Sequence, residues 1–218
     1  MHVDGAHGMG VLFSEKYKYR VKGIERADSV VIDFHKMLLV PALNTLVMFR
    51  NGERSFETFA QKASYLFQKS QKNIWYNSAI RTIECTKSAL GIIAYTALKY
   101  YGNSYYRNYI DSRYDLAATF SLIIKSDDKL QLATEPESNI ICFRFSPEGY
   151  NDLALNQINS EIRSRIIKEG SFYIVQTELD EKIWLRLTVI NPVTSEDDLK
   201  ALLIRISEIG EEEVRKIV

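Results

Sequence analysis

The chain has 218 residues and carries 28 acidic and 28 basic side chains, so its formal net charge is zero. This balance gives no reason to expect a nucleic acid or another polyanion as a partner. A chain of this length can bury the core of one large domain or of two small ones.

The sequence predicts a soluble, cytoplasmic protein. No apolar run approaches the roughly 20 residues that a membrane-spanning helix needs. The N-terminus, M-H-V-D-G-A-H-G, lacks the basic and apolar regions of a signal peptide. Cys85 and Cys142 lie far apart, without the spacing of a metal site, which indicates free thiols in a reducing compartment.

The first quarter of the chain predicts short strands of an α/β sheet. Residues 2–4 resemble the end of a strand that leads into a glycine-rich turn. The basic stretch 16–26 predicts a solvated helix or loop, because clustered like charges usually face water. Residues 27–32 and 46–50 each predict a buried strand, and Asn51-Gly52 closes the second one.

The middle of the chain predicts two long helices that pack on a sheet. Apolar residues recur at helical spacing across residues 83–101, and Gly102 follows as a C-terminal cap. A second helix is predicted for residues 105–124. Residues 55–68 are polar with scattered aromatic side chains, which predicts a helix or a loop.

From Leu130 onward the pattern predicts a smaller α+β domain of about 90 residues. Its predicted strands are 130–134 and 140–145, followed by a pair at 172–177 and 184–190 that is joined by an acidic turn. An amphipathic helix is predicted for 150–169 and ends at Gly170. A last helix begins at Ser195 and the acidic residues that follow it. The predicted domains are therefore residues 1–129 and 130–218.

The pair His35-Lys36 interrupts an otherwise apolar stretch, A-D-S-V-V-I-D-F-H-K-M-L-L-V-P at 27–41. A lysine is rarely buried without a partner. On one interpretation Lys36 lies at a strand end and extends its amine to solvent. On the other it is desolvated, with a depressed pKa, and suited to form a Schiff base with a carbonyl cofactor. These residues alone leave both interpretations open.

Five segments, in the same order, resemble the pyridoxal phosphate-dependent group II amino acid decarboxylases. That family includes the glutamate, cysteine sulfinate, aromatic amino acid and 2,4-diaminobutyrate decarboxylases. The segments are H-V-D-G-A-H-G at 2–8, A-D-S-V-V-I-D-F-H-K-M at 27–37, A-S-Y-L-F-Q at 63–68, R-T-I-E-C-T-K at 81–87 and L-R-L-T-V-I-N-P-V-T-S-E-D-D-L at 185–199. Together they extend over nearly the whole chain, which is far more specific than a lone H-K dipeptide.

The resemblance implies the type I fold of pyridoxal phosphate-dependent transferases. Residues 1–129 would form the second half of the large cofactor-binding domain, and residues 130–218 the small C-terminal α+β domain. Family members are roughly twice this length, so the chain is expected to be a carboxy-terminal portion. The phosphate-binding loop and the histidine that stacks on the pyridine ring would then belong to the other half.

The resemblance also implies roles for three residues around the cofactor. Lys36 would be the aldimine lysine, because the chemistry needs an amine that attacks the aldehyde and later exchanges with the substrate amine. Asp4 would pair with the protonated pyridine nitrogen and keep the ring an electron acceptor; its structural alternative is a turn-capping aspartate. Ala6 would leave room for the face of the ring.

His35 would lie near the cofactor phosphate or orient the aldimine, and the alternative is a purely structural histidine. Asp33-Phe34 stands where the common family form has Asn-Pro. Because a carboxylate repels a phosphate, we expect Asp33 to point elsewhere and to bond backbone amides.

Two further residues are candidates by resemblance. Arg186 would bind the substrate carboxylate, a task that suits its planar pair of donors, and a surface ion pair is the alternative. Tyr76 is the candidate for the mobile-loop tyrosine that returns a proton to the substrate carbon, with packing as the alternative. Cys85 is interpreted as a small buried residue.

The implied activity is that of a carboxy-lyase, the decarboxylation of an L-amino acid to an amine. The implied assembly is a homodimer, or a pair with a complementing N-terminal half. Two alternatives stay open at this point: a non-catalytic fragment or subunit of a split enzyme, and an aminotransferase or desulfurase of the same fold.

Overall fold

The structure is a computed structural model and describes residues 1–58, 78–84 and 86–217. It contains two compact units, Met1–Arg107 and Asn108–Val218. The domain boundary between residues 129 and 130 stays a prediction.

The first unit contains a three-stranded sheet of β1 (His2–Asp4), β2 (Ser29–Asp33) and β3 (Thr45–Phe49), in that order. β1 runs parallel to β2, with Asp4 opposite Val31. β3 runs antiparallel to β2, with Thr45 opposite Asp33. Because parallel strands point the same way, the carboxyl ends of β1 and β2 meet at one edge of this sheet.

One face of this sheet is packed. Val30 and Ile32 alternate inward along β2, and the 3-10 helix Gly8–Phe13 beside it buries Met9 and Val11. Gly5 lies between the side chain of Met9 and the backbone of β2. A Cβ atom at Gly5 would lie 1.9 Å from Met9 Cγ and 2.9 Å from the Val31 carbonyl oxygen. Glycine is therefore required where the loop passes β2.

The predicted strand at 46–50 forms as β3, but the prediction that it is buried was wrong. Leu46, Val47 and Met48 are each about 40% exposed. An apolar strand sequence does not reveal whether a neighbour covers it, and β3 is the last strand at its side of the three-stranded sheet. The basic stretch at 16–26 forms two short, mostly exposed 3-10 helices, as predicted.

Two helices follow, α1 (Glu53–Thr58) and α2 (Leu90–Lys125), with the 3-10 helix Ser78–Arg81 between them. The predicted break at Gly102 is confirmed, since its φ of 74° and ψ of 168° interrupt α2. The first helical part begins at Leu90 rather than at residue 83, and the Leu90 amide donates to the Ser88 carbonyl at 2.7 Å.

The second unit contains the last part of α2, an antiparallel sheet in the order β4-β5-β7-β6 and two further helices. These elements are β4 (Leu130–Leu132), β5 (Ile140–Phe145), α3 (Asp152–Glu169), β6 (Val175–Leu179), β7 (Lys182–Thr188) and α4 (Glu196–Ile217). Every element predicted here is present, with ends shifted by a few residues. The β6–β7 turn places Asp180 and Glu181 at φ of 52° and 60°.

The core of the second unit is one apolar cluster between the sheet and its helices, in which Phe120 and Phe143 pack edge to face. Buried Asn159 of α3 accepts from the Phe145 amide at 2.9 Å and donates to the Phe145 carbonyl at 2.8 Å, which ties the helix to β5. Within the described ranges, no helix is long and apolar enough to cross a membrane.

Candidate functional site

The carboxyl ends of β1 and β2 bring several predicted site residues to one edge of the first sheet. Asp4 ends β1 with an exposed side chain, and its Oδ1 accepts from the Ala6 amide at 3.0 Å. The Ala6 carbonyl in turn accepts from the Asp33 amide at 3.0 Å. The loop after β1 is thus fixed to the end of β2, which leads directly to Lys36.

Lys36 lies in a tight turn whose neighbours anchor it. Its amide donates to the Asp33 carbonyl at 3.2 Å, and its own carbonyl accepts from the Leu39 amide at 3.1 Å. Phe34 and Met37, on either side of the pair, are buried. Because these side chains fix the backbone, Lys36 is held in place while its side chain stays 39% exposed.

Asp33 is the partner of Lys36, so the expectation that its side chain bonds backbone amides was wrong, and its direction relative to a phosphate stays a prediction. Its Oδ2 lies 2.8 Å from Lys36 Nζ, and its Oδ1 accepts from Thr45 Oγ1 at 2.5 Å. Burial is the largest single influence and raises the pKa of the Asp33 carboxyl, but the hydrogen bonds from Lys36 and Thr45, together with the charges of Lys36 and His35, hold it below its usual value. The cause is the strand register, which places Thr45 directly opposite Asp33.

His35 is held by the backbone of Asn44. Its Nδ1 lies 2.9 Å from the Asn44 carbonyl oxygen and 3.1 Å from the Asn44 amide nitrogen. The Asn44 side chain donates to the Leu90 carbonyl at 2.9 Å, at the start of α2. His35 Nε2 lies 3.7 Å from Asp33 Oδ2. These contacts give His35 a structural role, and its role near a phosphate stays a prediction.

A cavity of about 620 Å³ lies along β3 and reaches the candidate site at Thr45. Thr45 lines one part of it, and Arg81 and Lys87 line another. The Arg81 guanidinium lies 4.0 Å from the centre of the Phe56 ring, and its buried Nε has no hydrogen-bond partner among the described residues. The sequence interpretation gave these two cations no role, although both belong to the family-like segment R-T-I-E-C-T-K.

Arg186 lies in the second unit, on β7, opposite Cys142 of β5. No carboxylate among the described residues forms an ion pair with it, so the surface ion pair considered from the sequence is not seen there. Burial raises the pKa of the Cys142 thiol, and the charge of Arg186 opposes that shift only in part. Substrate binding by Arg186 stays a prediction.

The predicted loop tyrosine, Tyr76, lies outside the described residues, as do the segment at 63–68 and Cys85.

The residues at the sheet edge fit the cofactor that the resemblance implies. A carbonyl group needs a primary amine that it can reach, and Lys36 offers one from a fixed backbone. A protonated ring nitrogen needs a carboxylate, and Asp4 presents one from the neighbouring parallel strand. Gly5 and Ala6 add little side-chain bulk beside them.

Sequence comparisons agree with this chemistry. The pyridoxal-dependent decarboxylase conserved domain matches residues 1–146. An aromatic-L-amino-acid decarboxylase of Bacillus atrophaeus is 28% identical over 215 residues, which cover 97% of this chain and 45% of that protein. An L-2,4-diaminobutyrate decarboxylase of Acinetobacter baumannii is 25% identical, over 94% of this chain and 40% of that protein. The chain thus spans less than half the length of these curated relatives.

Solved structures confirm the expected fold. Mouse CSAD in its apo form superposes with a TM-score of 0.84 at 23% identity, over 96% of this chain and 45% of that one. Oryza sativa TDC with PLP and tryptamine superposes with a TM-score of 0.83 at 19% identity, over 97% of this chain and 44% of that one. The conserved domain covers two thirds of the sequence, and the chain belongs to the pyridoxal-dependent decarboxylase family.

Proposed function

We propose that this chain acts in the pyridoxal phosphate-dependent decarboxylation of an L-amino acid to an amine, and that Lys36 is the point of cofactor attachment. One observation carries the proposal: an accessible lysine amine and an exposed carboxylate, Asp4, project from the ends of neighbouring parallel strands. The family to which the chain belongs supports this reaction class.

The cofactor, when bound, supplies an aldehyde for the lysine and a ring that accepts electrons as carbon dioxide leaves. The chain contributes the groups around it. Lys36 Nζ provides the attacking amine, and Asp4 holds a proton on the ring nitrogen by accepting a hydrogen bond from it. Arg186 binds the substrate carboxylate through two parallel donors. Tyr76 returns a proton to the substrate α-carbon.

The proposed setting is a cytoplasmic enzyme that works as a homodimer or together with a complementing N-terminal half. Support comes from exposed apolar side chains in the first unit, on β3 and on the first part of α2. Examples in α2 are Ile92, Tyr95 and Tyr100, each more than 60% exposed. Surfaces of this kind are typical of sites that another polypeptide covers.

The test is covalent trapping. We expect that the 218-residue chain, mixed with pyridoxal phosphate and reduced with borohydride, carries the cofactor on the peptide that contains Lys36. Lys36→Ala should abolish the adduct, whereas Lys22→Ala, at an exposed lysine, should keep it. An adduct that forms only after a complementing N-terminal half is added supports the split form. No adduct with or without that half contradicts the proposal.

A non-catalytic subunit is the second candidate, and the same exposed surfaces of β3 and α2 favour it. The two candidates differ in product. A mixture of the chain and its complementing half that binds pyridoxal phosphate but releases no carbon dioxide from any proteinogenic amino acid, from cysteine sulfinate or from 2,4-diaminobutyrate would favour the non-catalytic role.

A further inference from the structure

Asp33 is the one charged group in direct contact with the amine of Lys36 among the described residues. The Lys36 Nζ to Asp33 Oδ2 distance is 2.8 Å, which is a charge-assisted hydrogen bond. The resemblance assigns Asp33 no role. Its position three residues before Lys36, on the last position of β2, places the two side chains on the same side of the turn.

The carboxylate of Asp33 is itself held in place. Thr45 Oγ1 donates to the other oxygen, Oδ1, at 2.5 Å, and His35 Nε2 lies 3.7 Å from Oδ2. Only 12% of the Asp33 side chain is exposed. A carboxylate that is held by a hydrogen bond and largely shielded from water interacts with a neighbouring cation more strongly than a solvated one does.

A second pair in the same unit shows what is particular about Asp33. Lys87 and Glu84 are also three residues apart, and Lys87 is 40% exposed, almost the same as Lys36 at 39%. However, Glu84 is 60% exposed and its Oε2 lies 3.4 Å from Lys87 Nζ. The two lysine side chains are about equally exposed, but only the partner of Lys36 is largely shielded and held by a further side chain.

We infer that Asp33 is a positioning residue that holds the Lys36 amine by a direct hydrogen bond in the cofactor-free protein and so restrains its reaction with carbonyl groups. The inference rests on the proposed function, because it concerns the attachment step. In that step the ammonium proton must first leave Nζ for solvent. The nitrogen lone pair then bonds to the carbonyl carbon. The two protons that remain on Nζ pass to the carbonyl oxygen, which departs as water as the carbon–nitrogen double bond forms. Thr45 supports the restraint by holding Asp33 in place.

The carboxylate of Asp33 is also expected to affect how the phosphate group of the cofactor binds. Asp33 Oδ2 lies 2.8 Å from the Lys36 amine, and a carboxylate repels a phosphate group. Once Lys36 is no longer a cation, the neighbouring charge of Asp33 is no longer balanced by it. Replacing Asp33 by its neutral isostere is therefore expected to increase both the rate of attachment and the retention of pyridoxal phosphate.

The test uses the cofactor-free 218-residue chain and an amine-reactive probe, 2,4,6-trinitrobenzenesulfonate, with labelling read at Lys36 by peptide mass spectrometry across pH 6–10. For Asp33→Asn we expect the rate of Lys36 labelling at pH 8 to rise about tenfold, the lower end of the effect of an opposite charge within hydrogen-bond distance. Thr45→Val, which keeps both charges, should raise the rate by less.

The matched control is Glu84→Gln. It should change Lys87 labelling by about twofold or less, as is usual for an exposed pair, and leave Lys36 labelling unchanged. An Asp33→Asn profile at Lys36 that coincides with the wild-type profile overturns the inference. If Asp33→Asn does not fold, as judged by circular dichroism, an unchanged profile in Thr45→Val overturns it instead. Because the probe needs no cofactor, this result is independent of the borohydride trapping that tests the proposed function.

Discussion

At Gly5 the loop after β1 passes so close to β2 that no side chain fits. A Cβ atom there would lie 2.9 Å from the Val31 carbonyl oxygen, which is backbone and cannot rotate away. Gly5→Ala is therefore expected to lower the free energy of unfolding by about 1–3 kcal/mol, the usual cost of overpacking. Urea unfolding followed by circular dichroism measures the change.

The control for this prediction is Gly8→Ala, since a Cβ at Gly8 has no atom within 4 Å. Its free energy of unfolding should stay within about 0.5 kcal/mol of the wild type. Equal stability of the two variants would contradict the close approach at Gly5. The same position matters for the candidate site, because a displaced loop also moves Asp4 and Ala6 at the sheet edge.

Among the secondary-structure elements, the β6–β7 hairpin carries a turn that its sequence does not favour. Asp180 and Glu181 both have positive φ, which matches the two-residue turn normally made by Asn-Gly. A residue with a Cβ atom is strained in the left-handed backbone conformation, and glycine is not. Glu181→Gly should therefore raise the free energy of unfolding by about 1 kcal/mol. Thermal and urea unfolding measure the gain.

Glu178→Gly, in the middle of β6, is the comparison. Glycine inside a strand loses more conformational freedom on folding, so this variant should be less stable than the wild type by about 0.5–1 kcal/mol. If Glu181→Gly were as destabilising as Glu178→Gly, the turn geometry would not be the one described.

Most helices and strands could be predicted from the sequence because they depend on residues that are close together in the chain. Gly102 follows helical apolar spacing and does interrupt α2, and Ser195 begins α4 with its hydroxyl accepting from the Asp198 amide at 3.2 Å. The exposure of β3 depends on what lies beside the strand, which the letters L-V-M-F do not contain. The hydrogen bond that Asp33 accepts from Thr45, twelve residues away, depends on strand register.

In the candidate site, too, some features could be predicted from the sequence and others could not. The family-like motifs selected Lys36, Asp4 and Ala6, and the parallel pairing of β1 with β2 places them at one edge. The same motifs gave a wrong expectation for Asp33, because the alignment supplies a residue's position and not its hydrogen-bond partners. Arg81 and Lys87 were passed over because nothing in a linear sequence shows that they line a cavity with β3.

Across the whole molecule, acid is expected to destabilise the fold. Hydrogen bonds from cations hold the pKa values of several carboxyls below the ordinary range: Asp28 beside the N-terminal amine, Asp152 beside Arg144, Glu169 beside Arg205 and Glu211 beside Lys129. A carboxyl whose pKa is lower in the folded chain stabilises the fold above its unfolded pKa, about 4. That contribution is lost as the pH falls through the folded pKa.

The temperature of unfolding should therefore fall as the pH is lowered from 6 to 3. Because these carboxyls are exposed, 1 M salt should weaken the dependence by screening the pairs. Differential scanning calorimetry with and without 1 M salt measures the unfolding temperature at each pH. An unfolding temperature that is constant or rises over this pH range would contradict the ion-pair assignments.

The backbone of Asn44 gives His35 two mutually exclusive partners, and this makes the residue a spectroscopic reporter. Its N–H donates to Nδ1 only while that nitrogen carries no proton, and its carbonyl accepts from Nδ1 only once the proton is there. The amide resonance of Asn44 in a ¹⁵N-correlated NMR spectrum is thus expected to record the tautomer of His35. Since the Asn44 side chain also donates to the Leu90 carbonyl, the same signal is expected to respond to changes in the first turn of α2.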